Sequence, residues 1–415
     1  MTRYLYIAVL VITGEMVFGL PFHTVRFFRP TFLEVFGFSN TQLGYVLAVY
    51  GVTAMLSYFP GGTIADRFSA RTLLSASLIA TGLGGLYMAT LPGIVQVGAV
   101  YGFWGFTTIF LFWGALIRAT REWGGRTSQG AAFGILEAGR GITAAIFATL
   151  AVTALALFMP DDAALATDAD RRAGMRAVFL TYSAAAFAAG ALAWFAIPPP
   201  DEASLSRRNP FPNMLVVMRR PIVWAQAAVI VCAYCCFKAT DFYSQYAVIA
   251  LGMDEVEGAR LASYGAYLRP VAALGAGLIA DRFNATRAIG VAFAALAVVY
   301  IALSAAVPET THIAIIYANL IVSLFAVFSL RGIYFALLQE TRTPRHITGA
   351  TVGLISFIGF TPDIFFAWIA GAILDASPGV PGFLNLFRLL IAIAVGGVIL
   401  VTILLALKRR QEAHA

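Results

Sequence analysis

Charged residues are scarce in this 415-residue sequence. Only 12% of the residues are Asp, Glu, Lys or Arg, while 60% are hydrophobic. An average soluble domain carries about 25% charged residues. The composition therefore excludes a large water-soluble helical protein and predicts a polytopic membrane protein. The sequence also lacks a long polar stretch, so we expect no water-soluble domain.

Cysteines and the signatures of catalytic sites are also few. Cys232, Cys235 and Cys236 lie within one apolar segment, without a further Cys or a His beside them, and we interpret them as packing residues. The sequence contains no cluster of metal ligands, no nucleophile elbow and no glycine-rich phosphate-binding loop. We expect neither an enzyme nor a bound cofactor or metal. In place of a cofactor, we expect the protein to depend on a gradient of protons or of another ion.

Twelve apolar segments are present, and several exceed the roughly 20 residues needed to cross a bilayer. The predicted membrane helices cover residues 4–27, 41–61, 72–91, 95–120, 130–158, 175–197, 221–250, 258–280, 286–307, 312–338, 347–374 and 384–407. A proline-rich segment, 198–220, follows the sixth helix. Proline ends a helix and stiffens a link, so we interpret this segment as the connector between two domains. The sequence therefore predicts two six-helix bundles, 1–197 and 221–415.

Arg and Lys residues accumulate in alternate loops, while acidic residues prevail in the others. By the positive-inside rule, both termini and the connector face the cytoplasm. We therefore expect a multi-pass protein of the cytoplasmic (inner) membrane, with the lipid bilayer around it. The net charge of +7 comes from these short loops, so we expect no nucleic-acid partner. We also expect a monomer.

One short segment occurs twice. GTIADRFSA at 62–70 is matched by GLIADRFNA at 277–285, 215 positions later. Each copy follows an apolar run and places Asp-Arg just beyond it, as in a short loop between two membrane helices. A long block shared at nearly fixed spacing predicts an internal repeat.

This repeated G-x-x-x-D-R pattern resembles the signature loop of the major facilitator superfamily, a superfamily of transporters. The resemblance implies an all-α fold of twelve transmembrane helices in two pseudo-symmetric six-helix bundles. It also implies a gating loop in each half, formed by Gly62, Asp66, Arg67, Arg71, Gly277, Asp281 and Arg282. Within this loop we expect Asp66 to pair with Arg67, with Arg71 or with the tip of a neighbouring helix.

Ionisable residues within the predicted spans are the candidate functional groups, because an isolated charge in hydrocarbon is costly. Cations outnumber acids among them, and a guanidinium group matches a carboxylate, phosphate or sulfonate. The candidates for binding a small anionic solute are His23, Arg26, Arg118, Lys238 and Arg331. The candidates for proton coupling are Glu15, Glu137, Asp241 and Asp363. Arg140 and Arg269 also lie within the spans.

Internal pairing is the alternative role of these charges. Lys238 and Asp241 are three residues apart and could neutralise each other, and Glu137 could pair with Arg140 or Arg118. Arg26, Arg118 and Arg331 have no evident partner on their own helix, which favours a ligand for them. We expect Arg29 and Arg388, near the outer face, to extend to the membrane surface.

Residues 118–134 resemble the region between the fourth and fifth helices of the organic-anion branches of the superfamily, which include sugar-phosphate antiporters and hexuronate-type symporters. The fifth predicted helix lacks the Gly-Pro-Gly motif of drug/proton antiporters. We therefore expect a secondary active transporter of a small organic anion (sugar acid, sugar phosphate, sulfonate or carboxylate), working by rocker-switch alternating access with proton-coupled uptake. Two alternatives stay open: an exporter of a metabolite or drug, and a non-transporting membrane sensor of the same fold.

Overall fold

The computed structural model describes residues 3–125, 129–161, 165–198, 214–306, 310–340 and 348–413. Long helices occupy all twelve predicted segments, which confirms the all-α prediction. They are α1 (Tyr4–Phe27), α2 (Asn40–Arg67), α3 (Ala70–Met88), α4 (Ile94–Gly124), α5 (Gln129–Ala156), α6 (Asp168–Ala196), α7 (Pro221–Leu251), α8 (Glu255–Ala266 continued by Leu268–Phe283), α9 (Ala285–Ala305), α10 (Ile313–Ile333), α11 (Thr348–Gly359 followed by Pro362–Ala376) and α12 (Val380–Ala413).

Most of these helices can cross a membrane by length and composition. In the described part of the chain nine do so, and the two arms of α2, Asn40–Tyr58 and Pro60–Arg67, make a tenth if they count as one span. The arms meet at 55°, because Pro60 lacks the N–H that a straight helix needs and its ring displaces the preceding turn. The less apolar α3 and α8 complete the set of twelve.

The repeated motif lies on helices rather than in loops, which corrects the predicted helix ends. α2 was expected to end at residue 61 but continues to Arg67, and α8 continues to Phe283. The motif residues from Gly62 to Arg67 therefore form the last turns of α2. Only Phe68 and Ser69 separate α2 from α3, because the Ser69 hydroxyl accepts from the Thr72 amide and starts the next helix.

Polar caps start several helices earlier than apolar periodicity indicates. α6 begins at Asp168 rather than at residue 175, because Thr167 and Asp170 form a reciprocal capping box. α8 begins in the same way at Asp254 and Glu257. Hydropathy misses these first turns because the residues that stabilise a helix start are polar.

Irregular turns interrupt α1 and α7 near their buried charges. Residues Gly19–His23 of α1 form a wide π-helical turn, which contains Pro21. Residues Ala239–Phe242 of α7 form a tight 3₁₀ turn. Such turns change the direction in which the following side chains point, and π-helical turns often occur at functional sites. Here they set the positions of His23 and Asp241.

Packing divides the chain into two compact units. Unit 1 comprises Met1–Arg207, Asp241–Pro270 and Ala367–Ala372, and unit 2 comprises Arg208–Thr240, Val271–Phe366 and Ile373–Ala415. Unit 1 thus adds parts of α7, α8 and α11 to the first six helices. The two bundles were predicted from the internal repeat of the sequence, whereas the two units are defined by which residues pack together. The division into 1–197 and 221–415 therefore stays a prediction. Most of the predicted connector, residues 199–213, lies outside the described residues.

Within unit 1, glycines bring α2 and α11 into backbone contact. A Cβ atom on Gly44 would lie 2.3 Å from the Cα of Trp368, and one on Gly371 would lie 2.4 Å from the carbonyl oxygen of Asn40. No side chain fits at either position without a shift of the backbone. Small residues at a crossing allow such close approach of membrane helices.

Candidate functional site

A buried carboxylate, Glu15 on α1, lies at the centre of a group of ionisable side chains in unit 1. Arg140 Nε lies 2.9 Å from Glu15 Oε2, and Arg269 Nη1 lies 3.0 Å from Glu15 Oε1. His23 Nε2 lies 3.2 Å from the same Oε1. An ionised carboxylate only accepts hydrogen bonds, so His23 donates from Nε2. We call Glu15, His23, Glu137, Arg140 and Arg269 the Glu15 cluster.

Glu137 on α5 is the partly exposed member of the cluster and contacts both of its arginines. Its Oε1 lies 2.6 Å from Arg140 Nη1, and its Oε2 lies 3.1 Å from Arg269 Nη2. The Glu137 side chain is 32% exposed, whereas those of Arg140 and Arg269 are 3% and 6% exposed. Each arginine therefore contacts one deeply buried carboxylate and one accessible carboxylate.

The cluster joins three helices. Glu15 and His23 lie on α1, Glu137 and Arg140 lie one turn apart on α5, and Arg269 lies on α8. Gly141 of α5 permits the contact with α8, since a Cβ at this position would lie 3.1 Å from the Arg269 Cγ. Two of these helices belong to the predicted first bundle and one to the second, although all three meet within unit 1.

Aromatic rings line the cluster. The guanidinium carbon of Arg140 lies 5.5 Å from the centroid of Phe18 and 5.8 Å from that of Trp113. Tyr182 meets the His23 ring edge to face at 5.7 Å. Such rings exclude water and stabilise a guanidinium through its charge, which strengthens the electrostatic interactions inside the cluster.

A second group of polar contacts links α1 to α7 within unit 1. Arg26 Nε lies 2.6 Å from Asp241 Oδ1, so Asp241 has a cationic partner on α1 that spacing along α7 could not indicate. The Ser244 hydroxyl donates to the Arg26 carbonyl oxygen at 2.9 Å. Arg26 thus has a carboxylate partner on another helix.

Arg29 does not extend to the membrane surface, which corrects the expectation for this residue. It is 0% exposed. Its Nε lies 3.0 Å from Gln245 Oε1 and 3.3 Å from Asn40 Oδ1, and its guanidinium lies 4.0 Å from the centroid of Phe242. The cause is the short helix Arg29–Phe36, which turns the chain back over the bundle after α1.

Three further candidates lie in unit 2. Lys238 Nζ lies 3.4 Å from Asp363 Oδ1, and the Tyr234 hydroxyl donates to the same carboxylate. The guanidinium carbon of Arg331 lies 4.1 Å from the centroid of Phe237. Lys238 therefore has a carboxylate partner on α11, which spacing along its own helix could not indicate.

Arg118 on α4 lies beside the repeated motif. It donates to the carbonyl oxygens of Ala65 and Phe68, the latter at 2.8 Å, at the end of α2. Its Nε lies 3.4 Å from Glu122 Oε1, so it has a partner on its own helix after all. Among the described contacts, the structure thus groups Arg118 with the motif and not with the Glu15 cluster.

The other motif residues take different positions. The guanidinium of Arg71, an expected partner of Asp66, lies 4.4 Å from the Trp194 ring. Gly62 and Gly277 have space for a side chain. Arg67 and Arg282 are exposed, and the side chain of Asp281 lies outside the described part of the structure. The gating role of the motif stays a prediction.

Sequence reasoning placed Arg140 and Arg269 within the spans and considered Arg140 a partner of Glu137, a contact that the structure contains, but it gave neither arginine a role in ligand binding. The spacing of Glu137 and Arg140 is a usable signal, because residues three apart share a helix face. Arg269 offers no such signal, since its two carboxylate partners are 254 and 132 positions away.

The comparison with known families matches residues 11–367 of the chain to the model of the Major Facilitator Superfamily. The chain belongs to the Major Facilitator Superfamily. The resemblance noted from the G-x-x-x-D-R motif is therefore confirmed, as is the fold of twelve transmembrane helices. Membership of this superfamily indicates a membrane transporter rather than an enzyme.

Two curated relatives match along nearly their whole length. Inner membrane protein YqcE of Escherichia coli (strain K12) is 28% identical, over 100% of this chain and 97% of the relative. Inner membrane protein YihN of the same organism is 25% identical, over 96% and 94%. With several helices able to span a membrane, this chain is a multi-pass membrane protein of the superfamily.

Solved structures of the superfamily share the fold. A bacterial homologue of the human lysosomal transporter Spinster, inward-facing and occupied, gives a TM-score of 0.74 at 14% identity, covering 98% of this chain and 96% of that one. The nucleoside transporter NupG gives 0.74 at 12% identity, covering 98% and 100%. A D-xylose–proton symporter gives 0.73 at 16% identity, covering 97% of each chain. At these identities the likeness concerns the fold alone.

Proposed function

We propose that this member of the superfamily is a secondary active transporter of a small organic anion, with proton-coupled uptake across the cytoplasmic membrane. The observation that carries the proposal is the Glu15 cluster, in which two buried arginines from α5 and α8 converge on a pair of carboxylates. A guanidinium presents a planar fork of N–H donors that fits a carboxylate, phosphate or sulfonate. A neutral solute would gain little from such a site.

The origin of the two arginines supports alternating access. Arg140 belongs to the predicted first bundle and Arg269 to the predicted second bundle. An anion held by both would contact both bundles, and its binding energy would depend on their relative arrangement. A ligand shifts a conformational equilibrium only through such a difference in affinity, and transporter sites between repeats work in this way.

The proposal revises the predicted binding residues. Arg140 and Arg269 are the main residues that bind the anion, and His23 and Arg26 on α1 also contribute to its binding. Arg118 holds backbone carbonyl groups near the motif, which favours a role in gating. Lys238 and Arg331 line unit 2, where Lys238 and Asp363 form a separate pair. Glu15 and Glu137 are the proton-coupling groups that share the arginines, while Asp241 and Asp363 pair with other cations.

Reconstituted protein tests the proposal. A thermal-shift screen against sugar acids, sugar phosphates, sulfonates and dicarboxylates selects a ligand, and radiolabelled uptake into proteoliposomes then measures transport under an inward proton gradient. We expect uptake to fall when a protonophore dissipates the gradient, and to fall further with Arg269→Lys, which keeps the charge but loses the fork. Arg121→Lys on the exposed end of α4 is the matched control.

The two alternatives give different results in the same assay. An exporter would move a lipophilic cation or metabolite outward and show no gradient-driven anion uptake. A sensor would bind an anion without transporting it. Equal anion uptake with and without the proton gradient would contradict the coupling but not the anion specificity.

A further inference from the structure

We propose that Glu137 is an internal substitute for the anionic group of the ligand, so that one proton enters the site with each monovalent anion and transport is electroneutral. This inference rests on the proposed function and names its ligand class and its coupling group. It concerns how Arg140 and Arg269 are shared between Glu137 and a ligand.

The two carboxylates of the cluster differ in how easily they can be replaced. Glu15 accepts from Arg140, Arg269 and His23, and its side chain is 3% exposed. Glu137 contacts the same two arginines but is 32% exposed. A charged side chain within a membrane helix faces the bundle interior or a water-filled cavity and not lipid, and from the partial exposure of Glu137 we infer a water-filled space beside it. A ligand from that space therefore reaches the arginines at the positions that Glu137 occupies.

The geometry of Glu137 already imitates a bound anion. One oxygen contacts Arg140 at 2.6 Å and the other contacts Arg269 at 3.1 Å, so the carboxylate bridges helices α5 and α8. A ligand carboxylate in the same place would accept the same two N–H groups. Glu137 and the ligand therefore compete for one pair of donors.

Charge balance then requires a proton. With both carboxylates ionised and His23 neutral, the two arginines and two acids of the cluster sum to zero. An added anion would leave one uncompensated negative charge, which is costly in a buried site. Protonation of Glu137 removes that charge, because the neutral carboxyl group gives up its ion pairs and one monovalent anion replaces it.

The ionisable groups around Glu137 determine the net charge of the cluster. Arg140 lies on its own helix and Arg269 on α8, while Glu15 and His23 act from α1 through the same two arginines. In the transport step the proton binds a Glu137 oxygen, the ligand accepts from the arginines, and both leave together on the other side of the membrane. The net charge moved is zero for a monovalent anion.

Binding measured against pH tests the proposal. The probes are acetate, D-gluconate, D-glucuronate and methanesulfonate, with D-glucose as a neutral control, applied to the purified full-length protein between pH 5.5 and 8, where each anion stays ionised. For wild type we expect the Kd of at least one anion to rise about tenfold per pH unit above the pKa of Glu137, as linkage to one proton requires. For Glu137→Gln, we expect that Kd to be independent of pH.

A matched variant and a second readout support the measurement. Glu257→Gln changes an exposed glutamate, and Gln can serve in the capping box that Glu257 forms with Asp254; its pH dependence should equal that of wild type. In weakly buffered solution, wild type should take up one proton per bound anion. This readout needs no variant, so it holds even if Glu137→Gln fails to fold.

The outcomes separate this inference from the proposed function. Anion binding that is independent of pH in wild type, or equally dependent on pH in wild type and Glu137→Gln, would overturn the role of Glu137 and leave anion transport standing. Anion binding without proton uptake would do the same. Binding of none of the four anions by wild type would overturn both proposals.

Discussion

Lys238 Nζ lies 3.4 Å from Asp363 Oδ1, joining α7 to α11 inside unit 2. The Lys238 side chain is 2% exposed, and the hydroxyl of Tyr234 donates to the same carboxylate at 3.0 Å. A buried ammonium group is stable only with a counter-charge. This pair therefore stabilises the packing of α7 on α11, whatever part it plays in transport.

Substitution of one member of this pair should destabilise the folded protein more than substitution of both members. We expect Asp363→Asn to lower the free energy of unfolding by about 3–5 kcal/mol, because it removes a counter-charge of the buried Lys238 ammonium. The double variant Lys238→Met with Asp363→Asn should recover part of this loss. Unfolding in mixed micelles is measured for wild type, Asp363→Asn, Lys238→Met and the double variant, and strictly additive effects of the two substitutions would contradict the pairing.

A methyl group at Gly44 should disrupt the crossing of α2 and α11. Gly44→Ala would place a Cβ 2.3 Å from the Trp368 backbone, and such overpacking costs about 1–3 kcal/mol. Gly98→Ala is the control, since nothing lies within 4 Å of its added Cβ. We expect a lower melting temperature for Gly44→Ala only. Equal melting temperatures of the two variants would show that the helices do not meet at Gly44.

Arg118→Ala should slow transport without weakening ligand binding. The guanidinium holds the carbonyl oxygens of Ala65 and Phe68 at the end of α2, so its loss should affect the movement of the motif and not the Glu15 cluster. We expect a lower maximal uptake rate with an unchanged KM, and Arg176→Ala, which changes an exposed arginine of α6, should behave like wild type. A raised KM at an unchanged maximal rate would assign Arg118 to the ligand, as the sequence analysis expected.

Glu340 lies beyond the end of α10 and caps the start of α9. Its carboxylate accepts from the Ala285 amide and from the Thr286 hydroxyl at 2.5 Å, and Lys408 Nζ lies 3.3 Å away. Burial alone would raise the pKa of Glu340, but the bonds from Thr286 and Ala285 and the charge of Lys408 outweigh it and lower the pKa below 4.5. The ionised form is therefore favoured in the folded protein.

The lowered pKa of Glu340 predicts a loss of stability in acid. A carboxylate with a lower pKa in the folded state stabilises the protein above its unfolded pKa, and this contribution disappears as the pH falls through the folded pKa. We expect wild type to lose stability below about pH 4.5 and Glu340→Gln to lose less over the same range. Unfolding measured at pH 7, 5, 4 and 3 compares them; parallel curves would contradict the prediction.

Helix content, span positions and family could be predicted from the sequence because they depend on local properties. An apolar run of sufficient length must form a helix in a bilayer, where every backbone group needs an internal partner. The repeated motif made the family recognisable for the same reason, because its residues are consecutive in the sequence. Helix ends were less predictable: α6 starts seven residues earlier than expected, because Thr167 and Asp170 cap it with polar groups.

The sequence by itself also determined most of the residues that carry buried charges, because hydropathy shows them directly, although Arg29 was expected at the membrane surface and is buried. Only the tertiary structure decided their partners. Asp241 pairs with Arg26, Lys238 pairs with Asp363, and Arg269 joins Glu15. Partners on one helix follow from spacing, whereas partners on different helices follow from how those helices pack. In a bilayer, small residues such as Gly44 and Gly141 control that packing, and a glycine does not identify the residue opposite it.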